Sequence, residues 1–188
     1  PHLELVRRDL LEKASQFHQA FLKENREDPD RQVESAYALL QLGGVYRELD
    51  AHDRAIQVLR QAQTLVDRIP ASQPGYDQLF VEVHCGLGEV LMKTRSLDEA
   101  ERLLRQAAHR AADARIAETA SMLRESARSY SLLGALYRQR QQWVEAEEAN
   151  GQALTRAKRL SVLTPNDRDN QHLTVKIEGD HAHLLQQL

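Results

Sequence analysis

Apolar residues return every third or fourth position through most of the chain, the spacing of helices buried along one side. The pattern itself repeats. Three times a Leu-Gly-x-x-Tyr/Leu segment is followed, after a short polar turn, by Ala-x-x-x-Leu/Asn-x-x-Ala. The copies are Leu42, Gly43, Tyr46, Ala55, Leu59 and Ala62; Leu87, Gly88, Leu91, Ala100, Leu104 and Ala107; and Leu133, Gly134, Tyr137, Ala146, Asn150 and Ala153. With glycines at 43, 88 and 134 the unit recurs after 45 and then 46 residues, a period that indicates an array of stacked helical hairpins. A glycine inside a helix costs about 1 kcal/mol relative to alanine. Its recurrence therefore predicts a close crossing by a neighbouring helix, with the repeated alanines as the matching flat surface.

Local signals place the elements. Leu3, Val6, Leu10, Leu11, Ala14, Phe17, Phe21 and Leu22 mark a leading helix within residues 1–28, half of an earlier repeat or a cap. Asp28-Pro29 stops it and starts the next, with Asp28 as N-cap and Pro29 at the first helical position. The first hairpin (29–72) then pairs a helix over about 29–48 with one over about 53–69. Pro70 to Pro74 leads into the second (73–115), whose first helix spans about 75–94. Ser96-Leu97-Asp98-Glu99 reads as a capping box that opens its partner helix. The third hairpin (116–163) turns at Gln141-Gln142-Trp143, and Thr164-Pro165-Asn166-Asp167 opens a final helix over 164–188, the start of a fourth repeat or a cap. The expectation is an all-α chain of about eight helices, an α-solenoid of antiparallel pairs.

Composition narrows the function. Aromatics at 5% with five prolines and eight glycines disfavour a sheet protein. A net charge of −3 lacks the cationic field of nucleic-acid binding. Arg102, Arg105, Arg110, Arg115, Arg124 and Arg128 are interleaved with Glu99, Glu101, Asp113, Glu118 and Glu125, the pattern of paired surface charges. Cys85 is the single cysteine, which fits a reducing, cytoplasmic setting. No apolar run approaches the roughly 20 residues of a membrane span. A start at Pro1 and an end inside an amphipathic stretch suggest a segment of a longer polypeptide.

Leu-Gly-x-x-Tyr followed by the Ala, Leu, Ala series resembles the tetratricopeptide repeat, whose unit is a 34-residue pair of antiparallel helices. The unit here is about 11 residues longer, close to three helical turns, so helices lengthen with their faces in phase. Long repeats of this kind resemble those of kinesin light chains, bacterial transcription activators and, above all, multidomain bacterial Ser/Thr protein kinases. Arg7 to Ala14, Glu27-Asp28-Pro29 and Gly44 to Leu49 are similar to the linker and first repeat after the kinase domain.

The resemblance implies a non-catalytic scaffold whose A helices line a groove for a protein or peptide segment, the regulatory or docking tail of such a kinase. The sensor or assembly region of a transcription activator is the alternative. Carried over, the groove positions are Tyr37, Leu40, Gly44 and Arg47; Glu82, Cys85, Glu89 and Met92; and Arg128, Ser131, Ala135 and Arg138. The clamp that grips chaperone carboxylate tails would fall on Leu40, Gly44, Gly86, Arg128 and Leu132, where only Arg128 is cationic, so chaperone tails are not the expected partner. Departures are Asn150 at a large apolar site and His84 where a bulky apolar residue is usual.

Chemistry finds little foothold. Gly86-Leu87-Gly88 lies inside an amphipathic helix with no Lys-Ser/Thr after it. His181 and His183 point apart on a helix, and His109 with Asp113 lacks a third ligand. Adjacent His84 and Cys85 do not face one another, so Cys85 reads as a small groove or core residue. No cofactor or metal is expected. Leu173, Val175, Ile177, Leu184, Leu185 and Leu188 predict apolar surface on the last helix, open to self-association or to the rest of a longer chain.

Overall fold

The computed structural model describes residues 29–113 and 119–187. The leading helix expected before Pro29, Asp28, the junction at 114–118 and Leu188 lie outside the described residues. Those described form seven helices and no strand: α1 (Pro29–Glu48), α2 (His52–Val66), α3 (Tyr76–Lys93), α4 (Leu97–Ala111), α5 (Ala120–Gln139), α6 (Trp143–Leu163) and α7 (Arg168–Leu185). The chain divides into two compact units, residues 1–90 and 91–188, and the division falls within α3.

In the first unit α1 and α2 pack as a hairpin. Ala36, Leu39, Leu42, Gly43 and Tyr46 form the buried stripe of α1, and Ala55, Val58, Leu59, Ala62, Leu65 and Val66 that of α2. Each fully buried leucine stabilises the fold by about 1.5–3 kcal/mol. Residues 83–88 of α3 are all buried, as expected of a helix covered on more than one side. In the second unit α5 packs against α4 and α6, and α6 against α7. Ala127, Ala153, Ala157 and Ile177 make a small apolar cluster there, flanked by Tyr130, Leu154 and Leu173. Ser161 and Thr174 join α6 to α7 through hydroxyls 2.9 Å apart, and Asn170 Nδ2 donates to Thr164 Oγ1 at 2.8 Å.

The A helices α1, α3 and α5 end alike. Asp50, Arg95 and Gln141 adopt φ of 54°, 66° and 60°. The next N–H of each reaches back at 2.9 Å, from Ala51 to Tyr46 O, Ser96 to Leu91 O and Gln142 to Tyr137 O. This closure is usually built on glycine. Holding it with a side chain costs about 1 kcal/mol at each turn.

Ser96 precedes α4 as the capping-box pattern predicts, yet its hydroxyl makes no capping bond. The left-handed turn before it leaves Ser96 at φ −81° and ψ 60°, away from the extended backbone that aims a cap at the helix. Thr119 and Asp167 do cap: Thr119 accepts from Met122 N at 3.2 Å, and Asp167 from Asp169 N at 3.0 Å and Asn170 N at 3.1 Å.

The repeated glycines meet a partner other than the expected alanines. A Cβ on Gly43 would stand 2.6 Å from Leu59 Cγ, and one on Gly134 would overlap the Asn150 amide, 2.8 Å from its Cγ. The central residue of the B helix fills the glycine notch of its own hairpin, because a large side chain needs a hole where a small one needs none. Nesting between successive hairpins appears at Gly86 instead, where a Cβ would lie 3.4 Å from Leu40 and 3.5 Å from Leu59.

Candidate protein-binding surface

Within the first unit, Tyr37, Leu40, Gly44 and Arg47 follow one another at i, i+3, i+7 and i+10 along α1, on one side of that helix. All four are half-buried. Among the described residues nothing lies within 4 Å of a Cβ placed on Gly44. The surface dips at that point between Leu40 and Arg47. From α3, Glu82 accepts a hydrogen bond from Gln78 at 2.7 Å, and Glu89 pairs with Arg47 at 2.5 Å. Arg47 and Glu89 remain more than a quarter exposed, so their pairing supplies orientation and at most about 1 kcal/mol of stability.

Within the second unit, Arg128, Ser131, Ala135 and Arg138 repeat the same spacing on α5 and are again half-buried. Arg128 lies 3.8 Å from Glu125, Arg138 lies 3.7 Å from Asp180 of α7, and Arg124 lies 3.3 Å from Asp167. Each cationic position therefore carries its own acid, and the surface is mixed in sign. That arrangement suits a segment that brings both charges and disfavours one that carries a single sign.

Cys85 and Met92 do not belong to this surface. Both are buried in the core, Cys85 completely. The carried-over groove register assigns them to the exposed side, but α3 is covered on more sides than α1 or α5, and small or flexible apolar groups fill that interior. His84 is buried too, its ring stacked on Phe80 at 3.9 Å and its Nδ1 2.8 Å from Phe80 O. Packing accounts for a histidine at a position where the repeat usually has an apolar bulk.

A polar network between α4 and α5 was not legible in the repeat pattern. Glu101 accepts from Arg105 Nε at 2.8 Å, Tyr137 Oη at 3.1 Å and Arg140 at 2.6 Å, while Arg140 also bonds Asp98. Burial, and then the hydrogen bond to Glu101, push the Tyr137 phenol above its usual range. The hydrogen bond to Glu101 holds the Arg105 guanidinium more firmly protonated than usual. The one signal available beforehand was that tyrosine, not leucine, closes Leu-Gly-x-x-Tyr at 137.

No group of three or more His, Cys, Asp or Glu side chains among the described residues could hold a metal ion. No helix among them is long and apolar enough to cross a membrane. Gly86, Leu87 and Gly88 lie within α3 and are buried.

Two sequence models, both of the tetratricopeptide repeat, match residues 36–65 and 126–167. Among solved structures the chain is similar to BtubC (BKLC) from P. vanneervenii, with a TM-score of 0.60 at 16% identity, over 96% of this chain and 74% of that one. It is also similar to a TPR-like protein from Chlorobium tepidum TLS (TM-score 0.47, 18% identity, 83% of this chain and 98% of that one). A third similar structure is the MamA RS-1 ArsTM double mutant (TM-score 0.43, 18% identity, 94% and 95%). No curated protein matches the chain. The likeness to BtubC is one of fold, and the fold class is the expected one, an all-α chain of the helical-solenoid type.

Proposed function

Because this chain is a tetratricopeptide-repeat protein, we propose that it holds a protein or peptide segment against the exposed side of its A helices. The family is in general non-catalytic and built for protein interaction, so the proposal concerns where the partner sits. The observation that supports it is α1. One side of that helix fills the core, while Tyr37, Leu40, Gly44 and Arg47 on another stay half-buried, with a dip at Gly44. A preformed helical surface reduces the entropy lost when a flexible segment is captured. The mixed charges of Arg47 and Glu89, and of Arg128 and Arg138 with their acids, favour an extended or helical segment of alternating charge.

The finer reading is a docking tail of a bacterial Ser/Thr protein kinase, cytoplasmic with its parent. It is supported by the similarity of Glu27-Asp28-Pro29 and Gly44 to Leu49 to the first repeat behind such kinase domains.

The test is site-specific photocrosslinking in native lysate, with the reactive group at Gly44, at Ala135 or at exposed Gln57 of α2. One protein captured from both 44 and 135, and lost when Arg47 and Arg138 are changed to Glu, is the expected result. Equal capture from 57, or capture indifferent to the charge reversals, would refute it.

A further inference from the structure

Opposite its buried side, α6 carries a line of side chains with matched ends. The buried side, with Ala146, Ala153, Ala157 and Leu160, packs against α5 and α7. Val144 and Val162 each stand nine residues from Ala153, which places both on the far side of the helix, five turns apart. They are 73% and 79% exposed. Between them Glu147 and Glu148 lie six and five residues before Ala153, and Arg159 and Lys158 six and five after it, all four exposed. At the centre, two residues to either side of Ala153, are Gly151 and Thr155. A Cβ on Gly151 would meet nothing within 4 Å among the described residues, and the Thr155 hydroxyl is already turned back to Gly151 O at 2.9 Å. The line is therefore apolar at both ends, acidic in one half, basic in the other and low in the middle. Ser161 meets Thr174 of α7, and Val162, one residue on, is about 100° further round the helix. The line thus faces away from α7, the side on which the chain continues.

We propose that this line is the interface of a symmetric dimer, in which α6 of a second copy lies antiparallel along α6 of the first with the two-fold axis level with Ala153. Such an axis sets each residue at the height of the one equally far on the other side of Ala153. Val144 of one copy then faces Val162 of the other at both ends, and Glu147 and Glu148 stand against Lys158 and Arg159 twice over. Gly151 and Thr155 cross at the centre, where small residues let the helix axes approach to about 8 Å. Acids at the start and bases at the end of a helix suit its macrodipole in any surrounding, so the charges alone name no partner. The valines add what the macrodipole does not explain, because exposed β-branched residues weaken a helix in solvent. Symmetry then selects a second copy over an unrelated helix or a further part of the chain. Any other occupant would need its own matching sequence, whereas a copy of α6 supplies the complement at every level. The contact is about 30 Å long and one helix wide, which puts it at about 1,200 Å² in total or less, the range of weak, reversible complexes. A dissociation constant of about 10–100 μM is expected. The dimer uses neither α1 nor α5, so this inference stands apart from the proposed function.

Sedimentation of the full chain at concentrations from about 1 μM to 1 mM, either side of that constant, reads the association. The expected result is a monomer–dimer equilibrium that Glu147→Lys with Glu148→Lys weakens at least about tenfold, as does Lys158→Glu with Arg159→Glu, because each variant sets like charges against like. Mixed in equal amounts, the two variants should associate with each other about as tightly as wild type, since every acid again meets a base. A folding defect cannot produce that recovery. Gly151→Arg is the second block: it enters open space and replaces glycine with a better helix former, so the monomer's melting temperature holds or rises while the dimer is lost. A chain that stays monomeric to millimolar concentration, a dimer indifferent to Gly151→Arg or to either charge reversal, or a mixture no tighter than its parts would overturn the proposal.

Discussion

Asn150 gives the sharpest test of how the hairpins close. It occupies the B-helix position held by Leu59 in the first repeat and sits over Gly134 with only 2% of its surface exposed. Its Nδ2 is buried without a hydrogen-bond partner. Replacing it with leucine removes an unsatisfied amide donor, about 1–3 kcal/mol, and buries an apolar side chain, about 1.5–3 kcal/mol. Imperfect fit in a packed site takes back about 1–3 kcal/mol. The Gly43–Leu59 pair shows that this kind of notch accepts a leucine, so the misfit belongs at the low end. Asn150→Leu is expected to stabilise the protein by about 2 kcal/mol, raising the melting temperature by about 4–8 °C for a chain of this size.

Thermal and urea unfolding followed by circular dichroism measure this directly, with Asn150→Ala as the control. The alanine variant also loses the amide but leaves a hole, so it should fall below the leucine variant by about 2 kcal/mol or more. A leucine variant no more stable than wild type, or an alanine variant equal to it, would refute the idea that the glycine notch is shaped for a central leucine.

Three further expectations use the same geometry. Gly134→Ala puts a methyl into the Asn150 amide and should cost about 1 kcal/mol net, whereas Gly179→Ala has open space and should gain about 1 kcal/mol of helix propensity; melting curves that move together would contradict the assignment of closed and open notches. Arg95→Gly and Gln141→Gly relieve left-handed side-chain strain and should each stabilise by about 0.5–1 kcal/mol, read as an upward shift in the urea midpoint with unchanged slope. Tyr137 is held protonated above its usual range by burial and then by its hydrogen bond to Glu101, so its contribution is complete below about pH 10 and is lost as pH rises through its folded value; Tyr137→Phe should flatten the fall of melting temperature above about pH 10, and an unchanged slope would exclude Tyr137 as its source.

Most of the fold was legible because helical periodicity and punctuation agree. The Leu-Gly and Ala series predicted the packed pairs α1–α2 and α5–α6, and Pro29, the turn at Gln141 and the Asp167 start fall at observed helix boundaries. What escaped was conformational rather than compositional. Asp50, Arg95 and Gln141 share a left-handed φ, but acidic, basic and amide side chains carry no common propensity for it, so the turn is visible only in the backbone. The exposure expected of the candidate surface is seen on α1 and α5, whose positions stay half-buried. It failed on α3, because amphipathic register alone cannot show that Cys85 and Met92 are covered from a second side. The Glu101 network escaped in part for a similar reason: Arg105 is an i, i+4 neighbour, but Tyr137 and Arg140 lie 36 and 39 residues from Glu101, beyond the reach of any local pairing rule.

The left-handed turn and the glycine notch prove to be one device. In every copy the glycine stands seven residues before the left-handed position, Gly43 to Asp50, Gly88 to Arg95 and Gly134 to Gln141, and the central B residue stands nine after it, at Leu59, Leu104 and Asn150. Seven residues are close to two helical turns, so the notch and the exit of the A helix keep a fixed phase. In the first and third hairpins the turn then starts the B helix in one direction, and the ninth residue, Leu59 or Asn150, arrives over the glycine. The spacing from one central B residue to the next glycine is not so constrained: it is 29 residues from Leu59 to Gly88 and 30 from Leu104 to Gly134. The extra residue that changes the period from 45 to 46 therefore falls outside the closed hairpin, between Leu104 and Gly134. Length within the hairpin is fixed by packing, because one added residue would rotate the B helix by about 100° and carry its leucine out of the notch. Length between hairpins is fixed only by loop closure, for which one residue costs little.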